Sequence, residues 1–378
     1  MLPHNTEPPT TNNSTIDVLR GLSIIAVIIL HVNLRVPLKD VYLAAGLPKM
    51  LLSPLAFSGF YGVCVFFVIS GFLITTSALK RWGSLSAIRI GEFYKLRFAR
   101  IFPLLLALLA VLSLLHLLGV KDYVIKPERA SLGYAIFAAL TFHINWLEIT
   151  RGYLPGSWDV LWSLSIEEVF YIAFPWLCVL TKKEWLFVLL ISVTFIISPL
   201  ARTTWFLEYT LAQPDHNHFA FLDLLATACI AAIINRRFSF SEKTLALFLA
   251  GGLSLTTLIF VFRKFVREIG VTDTGLHLTI LGAGTAMLLL WSQHRKDRGL
   301  QKASWVTSTL RAMGRNSYEV YLTHMFVVFF TVGTFRSLAL SGGWTWLLYA
   351  VTIVLAGALG ALVARYYSNP MNKTIRRR

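Results

Sequence analysis

The sequence predicts an all-α integral membrane protein: a bundle of about ten transmembrane helices plus one re-entrant or interfacial segment, with both termini cytoplasmic. Three observations favour this fold class. Of the 378 residues, 56% are hydrophobic and only 14% are charged, whereas soluble domains carry about 25% charged residues. The mean hydropathy is +0.65. The apolar residues fall in long runs, and about 20 apolar residues suffice to cross a bilayer as a helix.

Eleven apolar segments are candidates for membrane crossing. The fourth is the weakest, because it is short and contains His143 and Asn145. The segments are 16–36, 55–79, 98–120, 131–147, 159–181, 185–201, 218–235, 244–262, 276–293, 317–335 and 344–366.

The basic residues decide whether segment 131–147 crosses. If it does not, and the N-terminus is cytoplasmic, 23 of the 35 Lys and Arg residues lie on the inner side. If it does cross, only 13 of them do. The positive-inside rule therefore predicts ten spans with both termini inside. Segment 131–147 is then re-entrant or interfacial on the outer side, where such backbone must be covered by protein or line water. This arrangement indicates an outward-facing cavity.

Composition also limits the partners and cofactors. The net charge is +16, but the basic residues stand between apolar runs, which favours the lipid bilayer over nucleic acid as their partner. Cys64, Cys178 and Cys229 all lie within apolar runs, which is typical of packing rather than disulfides. No CxxC or HExxH spacing occurs, and we interpret Asp215-His216-Asn217-His218 as a solvated loop rather than a metal site, so we predict no metal. The polar tail 1–15 lacks the basic region of a cleaved signal peptide.

The first run carries three ionisable residues, Asp17, Arg20 and His31. An ionisable group within a span costs roughly 2.5–3.5 kcal/mol on insertion scales, so it usually faces a cavity or a partner. Arg20 and His31 share one helix face and stand about 16 Å apart along its axis. We therefore predict that this helix walls a polar passage, with Asp17 nearby. The alternatives are an arginine that only reaches the headgroups and a histidine that only packs.

Small residues recur in the second and last runs at positions that would let helices approach closely. We interpret them as packing seams rather than as sites. They are Ser58, Gly59, Gly62, Ser70 and Gly71 in the second run, and Ala356, Gly360 and Ala364 in the last.

The loop after the second run is the most basic on the chain. Arg97 and Arg100 are three residues apart and so share a helix face. Guanidinium groups bind phosphate in bidentate fashion. Together with Lys95 they form a cationic cluster at the predicted cytoplasmic mouth, suited to a polyphosphate such as coenzyme A. The alternative is an ordinary basic anchor beside lipid.

The fifth run contains two adjacent carboxylates, Glu167 and Glu168. They point about 100° apart on a helix, so we expect one to face the cavity and the other a helix partner. By helical rise, Glu167 lies roughly 12 Å and His31 roughly 8 Å below the outer surface. A similar depth suits a base and its orienting carboxylate. The alternative is a structural ion pair between Glu167 and a buried arginine.

The tenth run begins with Tyr318 and Tyr321 on one face, followed by His324 about 10 Å from the cytoplasmic side. His324 either contacts the passage from below or hydrogen-bonds a neighbouring helix. The sequence leaves both interpretations open.

Five motifs in this order resemble the acyltransferase-3 family of membrane acyltransferases. Each is weak alone, and together they span residues 16–325. They are Asp17-x-Leu-Arg20-Gly-x9-His31, Ser70-Gly-Phe-Leu-Ile74, Arg97-x-x-Arg100-Ile-x-Pro103, Trp162-Ser-Leu-x-x-Glu167-Glu168-x-Phe-Tyr171 and Ser317-Tyr318-x-x-Tyr321-Leu-x-His324.

The resemblance implies a multi-pass enzyme of the bacterial inner membrane. Such an enzyme moves an acyl group, most often acetyl, from cytoplasmic acyl-coenzyme A (acetyl-CoA) to a hydroxyl of an extracytoplasmic glycan such as O-antigen, exopolysaccharide or peptidoglycan. The resemblance also implies that Arg20 with His31, and Arg97 with Arg100, are needed for activity. Val18 departs from the family pattern, where Gly is frequent, and Leu104 and Leu105 stand where a Tyr is common.

From these residues we form a mechanistic hypothesis. Arg97, Arg100 and Lys95 hold the donor phosphates, and Arg20 steadies a phosphate or the thioester. His31 acts as general base or carries the acyl group, and Glu167 orients His31 or the acceptor. The supporting residues are Asp17, Glu168, Tyr318 and His324.

We expect three regions: a polar tail (1–15), the acyltransferase-3 transmembrane domain (16–367) and a basic cytoplasmic tail (368–378). Any glycan-assembly partner domain is then expected on a separate chain. Two alternatives stay open, a transporter or flippase for an anionic or sugar substrate and an inactive scaffold. The chain shows no internal repeat of the kind common in transporters, and the ionisable residues within the spans disfavour a scaffold.

Overall fold

The computed structural model describes residues 14–38, 54, 56–203, 217–294, 304–340 and 342–377. Within these ranges every regular element is helical. The α-helices are α1 (Ser14–Asn33), α2 (Gly59–Trp82), α3 (Ile90–Leu117), α4 (Leu132–Leu140), α5 (Ile144–Arg151), α6 (Gly156–Asp159), α7 (Leu161–Thr181), α8 (Glu184–Ser192), α9 (Thr194–Ala201), α10 (Leu222–Arg237), α11 (Glu242–Phe260), α12 (Arg263–Glu268), α13 (Leu276–His294), α14 (Trp305–Arg315), α15 (Ser317–Ser337), α16 (Thr345–Val363) and α17 (Asn369–Arg377).

Ten helical stretches of the described chain have the length and apolar character of a membrane span, which confirms the predicted fold class. Successive spans alternate in direction, so α1, α3 and α15 run one way, and α2, α7 and α16 run back. We call the two ends of the bundle the Ser14 end, where α1 begins, and the Asn33 end, where α1 finishes. The assignment of the Ser14 end to the cytoplasm stays a prediction. The ten stretches are Ser14–Asn33, Gly59–Trp82, Ile90–Leu117, Gly156–Thr181, Glu184–Ala201, His218–Arg237, Glu242–Phe260, Leu276–His294, Ser317–Ser337 and Gly342–Arg377.

Segment 131–147 does not form a continuous span. It is divided between α4 and α5, of nine and eight residues, which are too short to cross a bilayer. Phe142, between them, has φ 59° and so breaks the helix in the left-handed region. This agrees with the prediction of a non-spanning piece, here between α3 and α7 at the Asn33 end.

Helix α1 packs on α2, α14 and α15. Gly21 lies against the carbonyl of Leu310, and Gly314 lies against the carbonyl of Asp17, so a Cβ at either glycine would clash. The two contacts follow opposite chain directions, which sets α14 antiparallel on the first half of α1.

The glycines of the predicted seams do pack closely. A Cβ at Gly62 would stand 2.8 Å from the carbonyl oxygen of Ser23, and one at Gly71 would stand 3.0 Å from that of Leu225. A Cβ at Gly360 would stand 2.8 Å from the backbone nitrogen of Val320. These close approaches join α2 to α1 and α10, and α16 to α15, as small residues permit between membrane helices.

A buried ion pair fixes the second half of the bundle. The Arg202 side chain is 5% exposed and that of Asp223 is 0% exposed, and the two form a salt bridge. Arg202 also donates to the carbonyls of Ala220 (2.6 Å) and Gly275 (2.8 Å). Thr279 donates to the other Asp223 oxygen at 2.5 Å. Because the pair is hydrogen-bonded on both sides, it ties α9, α10 and α13 together as a structural unit.

Candidate active site

A cavity of about 260 Å³ lies among α1, α2, α3, α7 and α15. Its arginines come from the Ser14 end, and its apolar wall includes Phe66 and Phe67. The wall therefore combines cations, a carboxylate and phenols with an apolar side, as small-molecule sites commonly do. The polar lining residues are Arg20, Ser70, Arg97, Arg100, Ser163, Glu167, Tyr171, Ser317, Tyr318 and Tyr321.

Glu167 anchors a hydrogen-bonded triad in this cavity. Its Oε1 accepts from the hydroxyls of Ser70 and Tyr171, which also contact each other. Glu167 and Tyr171 are four residues apart on α7 and so stand one above the other, whereas Ser70 comes from α2. The sequence suggested His31 or the acceptor as the partner of Glu167. The structure instead pairs it with Ser70 and Tyr171.

Arg97 is positioned by an aromatic ring. Its guanidinium lies 4.1 Å from the ring centroid of Tyr171, within the range of a cation–π contact. No ion pair involves Arg97 in the part of the chain that the structure describes. The triad and Arg97 therefore form one unit, with a fixed cation on the cavity wall.

Arg100 has a different environment. Its Nη1 and Nη2 donate to the two carboxylate oxygens of Glu319 at 2.7 and 3.3 Å. The side chain of Glu319 is 1% exposed and that of Arg100 is 24% exposed. The Arg100 guanidinium also lies 5.0 Å from the Tyr318 ring centroid, and the Tyr318 hydroxyl donates to the Ile101 carbonyl at 2.8 Å. Arg100 thus lines the cavity, but one N–H on each of Nη1 and Nη2 is already bonded to Glu319.

Of the other candidate residues, one lines the cavity and three do not. Arg20 lines the cavity. Asp17 does not; its carboxylate lies 4.0 Å from Arg315. Lys95 is exposed and does not line the cavity. Glu168 is 5% exposed and does not line the cavity.

His31 and His324 lie side by side beyond the inner end of the cavity. Their ring centroids are 5.1 Å apart. His324 is fully buried, and its Nδ1 lies 2.6 Å from the carbonyl oxygen of Tyr321. Because a carbonyl only accepts, Nδ1 carries the proton and Nε2 has a free lone pair. That Nε2 has no hydrogen-bond partner among the described residues.

Tyr321 separates the cavity from the two histidines. Its hydroxyl is 2.6 Å from the Ser163 hydroxyl and donates to the Val160 carbonyl at 3.0 Å. Its ring centroid is 5.7 Å from that of His324. Tyr321 therefore bridges α15 to the start of α7, with the cavity on one side and the histidine pair on the other.

The C-terminal helix α17 adds a residue that the sequence did not suggest. α17 packs on α3, and Arg376 lies close enough to Arg100, Arg81 and Arg97 to be repelled by each. Its Nε is buried and has no hydrogen-bond partner in the described chain. The sequence shows only a basic tail here.

Four further residues gain a role only from their contacts: Ser70, Tyr171, Tyr321 and Glu319. In the sequence, Ser70 stands among the small residues of the predicted packing seam and opens one of the five family-like motifs, and neither feature indicates its partner. The spacing of Glu167 and Tyr171 by four residues was the one local sign of their contact. No group of three or more His, Cys, Asp or Glu side chains suited to a metal occurs among the residues that the structure covers.

The fold and this cavity define a polytopic membrane protein with a cationic, phenol-lined site beside a pair of histidines. The chain belongs to the acyltransferase-3 family, because the model of that family, described as an acyltransferase domain, matches residues 13–366.

Two relatives from Staphylococcus aureus illustrate the similarity. The chain is 24% identical over 377 residues to O-acetyltransferase OatA of strain NCTC 8325 / PS 47. It is 27% identical over 384 residues to SACOL0978 of strain COL, which is provisionally named as an O-acetyltransferase. Each match covers 95% of this chain but 57% of the relative, so the chain spans little more than half the length of these relatives. No solved structure matches the chain.

Proposed function

We propose that this protein is a membrane O-acyltransferase that moves an acetyl group from acetyl-CoA to a hydroxyl of a glycan outside the cytoplasm. The observation that carries the proposal is the position of the histidine pair, which stands across Tyr321 from a cavity whose other end is cationic. The names of the S. aureus relatives support O-acetyl transfer. A glycan acceptor, a bacterial cytoplasmic membrane and a separate glycan-assembly partner belong to the same proposal.

The donor enters from the Ser14 end. Arg97 is fixed over Tyr171 and forms no ion pair with any described residue, and Arg376 lies near it, so the repulsion between these two cations is relieved when a polyphosphate binds. Arg100 adds the donors that Glu319 leaves free, and exposed Lys95 adds charge at the mouth. The thioester arm then extends along the cavity past Arg20 toward Tyr321.

The histidine pair supplies the base. His31 takes the proton of the acceptor hydroxyl while the hydroxyl oxygen attacks the thioester carbonyl carbon. The C–S bond breaks, an ester forms, and the proton passes from His31 to the coenzyme A thiolate. The two rings are close enough that a small turn of His31 would let its N–H donate to the free Nε2 of His324, and this contact would hold His31 in the tautomer that a base requires. A covalent acyl-His31 intermediate would use the same groups in two steps.

Glu167 acts on the donor side. Held by Ser70 and Tyr171, its carboxylate has a fixed direction and keeps the Tyr171 ring beneath Arg97. Tyr321 must release Ser163 or turn aside for the thioester to reach His31, so it acts as a gate between donor and acceptor.

The proposal is tested by acetyl-CoA turnover of the purified protein in neutral detergent, with and without extracted bacterial cell-surface glycan. Release of free coenzyme A should depend on the glycan and disappear in His31→Ala, while Arg20→Ala and Arg97→Ala should lose most of it. A folded His31→Ala protein with full activity would remove the central role of His31. If no acyl-CoA binds or turns over, the transporter or flippase becomes the better hypothesis.

A further inference from the structure

A second cavity, of about 310 Å³, lies at the Asn33 end of the bundle. Three cations and one carboxylate line it, beside two aromatic rings. This set carries a net charge of +2 and leaves an apolar surface next to the cations. The residues are Arg35, Lys126, Arg129, Asp122, Tyr153 and Phe329.

Arg35 is held in place by three neighbours. Its Nη1 donates to the carbonyl oxygen of His31 at 2.8 Å, and its guanidinium lies 4.7 Å from the ring centroid of Phe329. Its Nη2 lies over Gly156, where a Cβ would stand only 2.9 Å away. A fixed guanidinium loses little conformational entropy when it binds an anion. Asp122 and Asp159 attract the Arg35 guanidinium electrostatically. These two carboxylates partly offset the positive charge of the site.

Arg129 is also positioned by backbone. Its Nη1 donates to the carbonyl of Arg151, and its guanidinium presses on Gly152, which has φ 85°. A side chain at position 152 would collide with it. Lys126, in contrast, is exposed. The cavity thus presents two positioned guanidinium groups and one exposed ammonium around a shared space.

Two lining residues of the second cavity lie close to the histidine pair along α1 and α15. Arg35 bonds to the main chain of His31, and Phe329 lies five residues after His324 on α15. The donor cavity meets the same pair from the opposite side, at Tyr321. An acceptor seated in the second cavity would therefore approach His31 from the side opposite the thioester.

We infer that this second cavity is the acceptor site and that it takes an acidic saccharide, a sugar unit that carries a carboxylate or a phosphate. Guanidinium forks recognise planar or tetrahedral anions in bidentate geometry, and the rings of Tyr153 and Phe329 offer apolar faces to the sugar. The inference rests on the proposed function, since it names the acceptor class of the same enzyme. An anionic lipid headgroup has the same charge chemistry, and the experiment separates the two sources.

Binding is measured first, without any acyl donor. The purified protein in neutral detergent is titrated with trigalacturonate and with maltotriose, a neutral trisaccharide, by isothermal calorimetry at two salt concentrations. Trigalacturonate should bind at least tenfold more tightly, with an affinity that falls as salt rises. Phosphatidylglycerol micelles serve as the third ligand. Equal or absent binding of the two sugars, or binding of phosphatidylglycerol without binding of trigalacturonate, would overturn the inference.

Two charge changes of opposite sign then locate the site. Lys126→Gln should weaken trigalacturonate binding about tenfold, as expected for one charged contact. Asp122→Asn should strengthen it, because a repulsive carboxylate is removed. Asn tolerates the positive φ of 72° at position 122, so the fold should be kept. Lys121→Gln, an exposed neighbour outside the cavity, is the matched control and should change nothing. If the three variants behave alike, the anion binds elsewhere.

The same ligands in His31→Ala distinguish this inference from the proposed function. Uronate binding that persists in His31→Ala supports the acidic-sugar site even if no acyl transfer is ever found. Acyl transfer to maltotriose as fast as to trigalacturonate, with no difference in KM, would leave the enzyme standing and remove the acidic-acceptor inference.

Discussion

His31 and His324 come from α1 and α15 and lie with their ring centroids 5.1 Å apart. His324 is held by the Tyr321 carbonyl through Nδ1, so its second nitrogen is free to accept a proton from a neighbour. The sequence left His324 with two possible roles. The contact with His31 places it beside the proposed base, and this relationship leads to the first prediction.

His324→Gln should lower kcat about 10- to 100-fold while leaving the KM for acetyl-CoA unchanged, because the donor cavity ends at Tyr321. The measurement is steady-state release of coenzyme A over a range of acetyl-CoA concentrations. His294→Gln, at the end of α13 and away from the cavity, is the control. A rise in KM with unchanged kcat would contradict the positioning role of His324.

Glu167→Gln should reduce kcat/KM for acetyl-CoA about 100-fold, because an amide cannot accept from both Ser70 and Tyr171 with the strength of a carboxylate and the Tyr171 ring beneath Arg97 loses its support. Ser70→Ala removes one of the two donors and should cost about tenfold. Ser113→Ala is the matched control, since the Ser113 hydroxyl only bonds the Leu109 carbonyl of its own helix at 2.7 Å. Equal activity of Ser70→Ala and Ser113→Ala would show that the triad has no catalytic consequence.

Arg376→Gln should raise the KM for acetyl-CoA about tenfold with little change in kcat, because one phosphate-facing cation is lost. Arg377→Gln is the control: it removes the same charge from an exposed position of the same helix. Acetyl-dephospho-CoA, which lacks the 3′-phosphate, extends the experiment. If Arg376 binds that phosphate, the variant and the native protein should have the same KM for the dephospho donor. Identical KM values for acetyl-CoA in the two arginine variants would place Arg376 outside the donor site.

The Arg100–Glu319 pair should matter for folding as well as for donor binding. Glu319→Gln leaves the partly buried Arg100 without its carboxylate, and we expect a loss of about 2 kcal/mol in the free energy of unfolding. The double variant Arg100→Met with Glu319→Leu removes both charges and should recover most of that stability while remaining impaired in turnover. Thermal unfolding in detergent measures the first effect. A double variant no more stable than Glu319→Gln would argue against the ion pair as the cause.

The buried carboxyl of Glu148 should make the free energy of unfolding depend on pH. Burial raises the pKa of its carboxyl well above the ordinary value of 4.5, and the negative charge of Asp159 raises that pKa further. A folded-state pKa above the unfolded value means that the folded protein holds this proton more tightly. The resulting stabilisation is therefore complete below the unfolded pKa and is lost as the pH rises toward the folded pKa.

Glu148→Gln keeps a neutral side chain at all pH values. Its Tm should fall less than that of the native protein as the pH rises from about 5 to about 8. Glu128→Gln, an exposed change in the preceding loop, is the control and should leave the slope unaltered. Parallel Tm curves for the native protein and Glu148→Gln would contradict the raised pKa.

Some residues of the candidate site could be predicted from neighbouring residues in the sequence, and others could not. Arg20 and Arg97, which helical periodicity singles out, both line the cavity, whereas His31, on the same helix face as Arg20, lies beyond its lining. Glu167 rather than Glu168 faces the cavity. The angle of about 100° between the two side chains predicts that only one of them does so, but it does not predict which one. In the sequence, Ser70 resembles the other small packing residues, because no neighbouring residue indicates that its hydroxyl bonds to the Glu167 carboxylate. Its contact with Glu167 joins residues 97 positions apart.

The sequence by itself determined that this is a ten-span membrane protein with cations at one end and His31 on the same helix face as Arg20. Hydropathy, charge and helical periodicity are properties of neighbouring residues, so they can be read locally. Only the tertiary structure decided which groups meet: Glu319 takes one edge of Arg100 across 219 positions, His324 stands beside His31, and Arg376 reaches the arginine cluster. These pairings depend on how separate helices pack, and close packing is set by the shapes of many distant side chains at once.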